Sequence, residues 1–195
     1  MKKLNIITAL LLILLLTFSL AGCKDNNSPT EASTEGIFEI KELVETNPPE
    51  EGSIEEYFNR CSALSIENDK EIRVSSDVWN EEELDNTQVR YTSLGSAIVN
   101  TVLYDKEQRK VLGVATSVNI DNYSDEATRA NMIYNVSVFT AAMIKGEKDD
   151  VAAISSDFES VIESGIEMYR DDVKLSLSTD NTTVSMIAEP IEPTE

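Results

Sequence analysis

The side chains able to do chemistry in this 195-residue chain are two cysteines, Cys23 and Cys61, and 36 Asp and Glu residues; there is no histidine. Without imidazole, Ser-His-Asp and Cys-His catalysis and histidine-ligated zinc are excluded. Acidic residues bunch at Asp121-Asn122-Tyr123-Ser124-Asp125-Glu126, at Asp149-Asp150 and at Asp171-Asp172. The first group offers oxygen ligands for Ca²⁺ but lacks the alternation and central glycine of an EF-hand loop. Capping of a following helix accounts for it better. Paired carboxylates are also the machinery of glycoside hydrolysis, yet acidic residues are so abundant that no pair stands out. Gly95-Ser96 lacks the flanking glycines of a nucleophile elbow, and the seven glycines nowhere gather into a phosphate loop. No cofactor, metal site or catalytic residue is expected.

Sixteen basic residues against the 36 acidic ones give a formal charge of −20. Such a chain repels phosphate backbones, so nucleic acid is not expected as a partner. Solubility beside an anionic membrane is the plain reading of the charge. The sharper one is an acidic surface for a protein partner or a cationic ligand.

Cys23 has a specific setting. Lys2 and Lys3 precede an apolar run from Ile6 to Phe18, interrupted only by Thr8, Ala9 and Thr17. The run is shorter than the about 20 residues a membrane span needs. It closes on Leu20-Ala21-Gly22-Cys23. Charge, short apolar core and small residues are the layout of a secretory signal. The four closing residues resemble the lipobox of bacterial lipoproteins. The resemblance implies that residues 1–22 are a signal peptide cut between Gly22 and Cys23. It also implies a diacylglycerol on the Cys23 sulfur, which would hold the chain to the extracytoplasmic face of the cell membrane. Two acyl chains anchor durably where one is marginal. Cys61 would then have no disulfide partner.

Elements follow from patterning. Residues 23–52 read as the lipidated cysteine and an acidic tether, bracketed by Asn26-Asn27-Ser28-Pro29 and Pro48-Pro49-Glu50-Glu51-Gly52. As a flexible coil its ends would lie roughly 30 Å apart. Within it, Gly36–Val44 is apolar enough to dock on the domain as a short strand or helix. Residues 53–190 are expected to form a single α+β domain, followed by a tail at 191–195. Ser53 and Glu56 have capping-box spacing, and Ile54, Tyr57, Phe58, Cys61 and Leu64 recur on one helical face. That stripe makes Cys61 core filler. A strand is expected at Glu71–Ser75. An acidic loop over 77–86 carries Trp79, the sole tryptophan, which is expected to plug the core or to serve as a binding anchor.

Strands are expected at 89–94, 97–104 and 110–120. In the last, Leu112, Val114, Thr116, Val118 and Ile120 share a face. Helices are expected at 124–144, capped by Ser124, and at 150–164, stopped by Gly165. Strands at 166–169, 173–177 and 183–188 complete the order. It predicts an antiparallel sheet of five to six strands with helices packed on one face. The open sheet face and the Trp79 loop are the expected contact surface. The expected function is that of a lipid-anchored, extracytoplasmic, non-enzymatic binding or accessory lipoprotein. A hydrolase of envelope polymers working through paired carboxylates, or a Ca²⁺-responsive surface module, are the alternatives.

Overall fold

The computed structural model describes residues 49–68, 70, 79–93 and 97–191. The leader, Cys23, residues 36–44, the strand expected at Glu71–Ser75, Gly95-Ser96 and the end of the tail lie outside the described residues.

Helix α1 (Ile54–Glu67) begins where the sequence signals it: the Ser53 hydroxyl accepts the Glu56 N–H at 3.1 Å. The return bond differs from a standard capping box, because Glu56 Oε2 accepts from the Gly52 N–H at 2.5 Å. Docked chain therefore reaches back beyond Ser53. Glu50 pairs with Arg109 at 2.7 Å, so the domain edge lies within the expected tether.

Four strands follow as a meander: β1 (Trp79–Glu83), β2 (Gln88–Ser93), β3 (Ile98–Asp105) and β4 (Lys110–Asn119). A short helix α2 (Ile120–Tyr123), then α3 (Glu126–Met143) and α4 (Lys148–Ser164), lead to β5 (Met168–Arg170), β6 (Val173–Thr179) and β7 (Thr183–Pro190). The described strands make one sheet in the order β1-β2-β3-β4-β7-β6-β5, and every pairing is antiparallel. The expected α+β architecture is present, with seven strands. The added strand is β1, whose acidity suggested a loop. Among the described strands it lies at the edge, only its Trp79 is buried, and outward charges suit an edge that must not pair further.

The tripeptide Asp-Asn-Thr makes the same turn twice. Asp85 Oδ1 accepts the Thr87 and Gln88 N–H groups between β1 and β2. Asp180 Oδ1 accepts those of Thr182 and Thr183 between β6 and β7. These Asx turns replace backbone partners with a carboxylate and set hairpin register.

The core lies between the helices and one sheet face. Val102, Val114, Val118, Leu175 and Met186 meet Met132, Val136 and Phe139 of α3 and Ile154, Phe158 and Val161 of α4. A register shift at Leu103/Tyr104 sets Val111 opposite Tyr104. Val111 thus joins this core although strict alternation assigned the place to Leu112. Helix α3 starts one residue later than its pattern indicated: Asp125, not Ser124, is its cap, accepting the Thr128 N–H at 2.7 Å. Gly165, in the left-handed region at φ 68°, ends α4 as expected.

Candidate functional site

Six chain segments converge at one end of the domain: the lead into α1, the β3–β4 turn, the end of α3, the start of α4, the β5–β6 turn and the end of β7. They enclose an open cavity of about 620 Å³. Its apolar lining includes Tyr57, Tyr104, Val111, Met143, Ile144 and Val173. Two of these are fixed by their hydroxyls. Tyr57 donates to the Phe139 carbonyl at 3.0 Å and Tyr104 to the Gly52 carbonyl at 2.9 Å.

The rim carries both signs of charge. Arg60, Arg109, Lys110 and Lys145 stand among Glu56, Asp150, Asp171 and Asp172. This concentrates cations in a chain that has few of them. Arg60 pairs with Glu56 at 3.1 Å, and Lys145 stands 3.8 Å from Glu51. Such exposed pairs are worth little in stability, so they can exchange partners with a ligand at small cost.

Backbone geometry marks the same place. Among the described residues the non-glycine positions with positive φ are Arg109 at 51°, Lys145 at 58° and Asp171 at 50°. All three line the cavity. Side chains rarely adopt this conformation, and it gathers where the surrounding structure over-determines the backbone. Gly52, with φ +76°, lies so close that an added Cβ would stand 3.0 Å from the Arg109 carbonyl oxygen.

Glu56 and Asp150 on the rim, and Glu50 beside it, are acceptors already in use. The Gly52 N–H, with help from Arg60, holds the Glu56 carboxyl below its ordinary range. Hydrogen bonding to Arg109 does the same to Glu50. Asp150 Oδ2 accepts the Glu147 N–H at 2.7 Å as part of the α4 cap.

The residues singled out from sequence stand elsewhere. Trp79 is 7% exposed, in β1 and not on a loop. Its ring lies 4.8 Å from that of Phe58 and meets Phe139 edge-on at 5.8 Å. As placed, it packs into the core, the first of the two roles its sequence setting allowed. Cys61 is fully buried, and burial pushes its thiol pKa up. The Asp121–Glu126 group is taken up by turns and caps: Asn119 accepts the Asp121 N–H and Asp125 that of Thr128. Among the described residues no three Asp, Glu or Cys converge as a metal would require, and no helix is long and apolar enough to cross a membrane.

Arg109, Lys145 and Asp171 were not legible as a site, because each reads locally as an ordinary polar turn. Only the pairing of distant strands brings them together. No protein-family model matches the chain, and comparison with curated proteins and with solved structures likewise gives no significant match.

Proposed function

We propose that this chain is a lipid-anchored, extracytoplasmic binding protein that holds a small, partly apolar zwitterion, such as a short peptide, in the end cavity. The single observation that carries the ligand reading is the cavity itself: an apolar floor under a rim of opposed charges. Its volume of about 620 Å³ suits a small molecule. The anchor reading rests on Leu20-Ala21-Gly22-Cys23 and the apolar run before it.

The rim would take a carboxylate on Arg109 or Lys110 and an ammonium on Asp171 or Asp172. The tyrosines and Val111 would hold apolar side chains. The tether would place this cavity in the water layer above the membrane, where a captured molecule stays near the surface.

The test is thermal unfolding in the presence of the dipeptide Phe-Leu. A ligand that binds only the folded state raises the midpoint. The free dipeptide should raise it, while the N-acetylated, C-amidated form should not. Combining Lys110→Ala with Asp172→Asn should reduce the rise. Equal effects of free and blocked dipeptide would remove the charge-recognition argument.

A further inference from the structure

Three turns of different kinds meet at the end cavity, and each bends at a charged residue where glycine is the ordinary choice. Lys145 ends α3: its N–H donates to the Ala142 carbonyl at 3.3 Å, and that of Gly146 to the Ala141 carbonyl at 2.8 Å. Helices that close in this way usually place glycine at the left-handed position, yet Lys145 holds it at φ 58°. The glycine beside it is committed elsewhere, because a Cβ on Gly146 would stand 2.7 Å from Asp150 Oδ2. Arg109, at φ 51°, closes the β3–β4 hairpin, and Asp171, at φ 50°, opens the two-residue β5–β6 turn. Hairpin positions of this backbone favour glycine or asparagine. Aspartate tolerates it; lysine and arginine do so less well. Glycine at 109 or 145 would relax the backbone and cost only an exposed ion pair, which is worth little.

The Lys145 ammonium is poorly served by the fold. Its ion pair with Glu51 spans 3.8 Å, too long for a hydrogen bond, and both side chains are exposed. Glu56, which lies within the field of Lys145, is already bonded to the Gly52 N–H and to Arg60. Asp150, also in the cavity wall, caps α4. Among the described residues, the strained positions thus set two positive charges and one negative around a single cavity. We propose, on the peptide reading of the end cavity, that its ligand is an acidic peptide: Lys145 takes a side-chain carboxylate, Arg109 the terminal carboxylate and Asp171 the terminal ammonium. The negative charge of the chain as a whole does not forbid an anionic ligand, since screening over about 8 Å confines the field to the nearest groups.

The test is calorimetric titration of the full chain, in detergent micelles, with Phe-Glu and with its amide isostere Phe-Gln. Phe-Glu should bind about three- to fivefold more tightly, the most that an exposed ion pair supplies. Lys145→Asn keeps a residue that tolerates the left-handed backbone. It should bring the two affinities together and leave that of Phe-Gln unchanged. Lys145→Gly should do the same while raising the unliganded melting midpoint by roughly 2 °C. Equal binding of the two dipeptides by the native chain would overturn the acidic-peptide proposal and leave the zwitterion reading standing. A preference that survives Lys145→Asn would remove Lys145 from the site. A lower midpoint for Lys145→Gly would show that the fold, not a ligand, keeps the lysine. Binding of neither dipeptide, nor of Phe-Leu, would refute the cavity reading itself.

Discussion

The Tyr104 hydroxyl donates to the Gly52 carbonyl over 2.9 Å, joining residues 52 positions apart in sequence. It ties the lead into α1 to the third strand and closes one wall of the end cavity. Tyr104→Phe removes the donor and keeps the ring. Urea unfolding should show a loss of about 1 kcal/mol with an unchanged slope. A changed slope would mean that the bond governs the extent of the folded unit, contrary to this account.

Gly52 and Gly165 both have positive φ, but their surroundings differ. An added Cβ at Gly165 meets nothing within 4 Å, whereas at Gly52 it meets the Arg109 carbonyl at 3.0 Å. Gly165→Ala should therefore cost only the backbone term, about 1 kcal/mol. Gly52→Ala should cost more, because the β3–β4 turn must also move. Chemical denaturation of both variants gives the order; equal losses would show that α1 and the turn are loosely held.

Trp79 is placed as core, with Phe58 and Phe139 against its ring. Trp79→Ala should destabilise by about 3–5 kcal/mol, the range for deleting a large buried aromatic. Unfolding should also shift the native tryptophan emission to the red. A variant of unchanged stability would return Trp79 to the surface role its sequence setting suggested.

Glu56 gives a pH dependence of definite sign. Its folded pKa is lowered from the ordinary 4.5, chiefly by the Gly52 N–H. The stability it contributes is thus fully present above the unfolded value and lost as pH falls through the folded one. The gap in urea midpoint between the native chain and Glu56→Gln should be widest near neutral pH, begin to narrow as pH falls to about 4.5, and close only below the lowered folded pKa. A gap of the same size in acid would mean that packing, not ionisation, accounts for it.

What sequence patterning reads well here is local. Ser53 caps α1, Gly165 stops α4, and Val114, Thr116 and Val118 share a face as alternation requires. It fails where a partner strand decides. The acidity of Asn80–Glu83 looks wrong for a strand until β2 pairs with it and leaves it at the edge. Leu112 loses its place in the helix-side core to Val111 through a bulge that no period of two contains. The cavity was illegible for the same reason. Its charged residues come from turns that are far apart in sequence and meaningless singly.

The most direct measurement is a two-dimensional amide NMR titration of the soluble domain with Phe-Leu. The account predicts saturable shifts at Gly52 and Gly146, both in the cavity wall, with Gly165 unmoved. Shifts that never saturate, or that gather away from these glycines, would contradict a binding role for the end cavity.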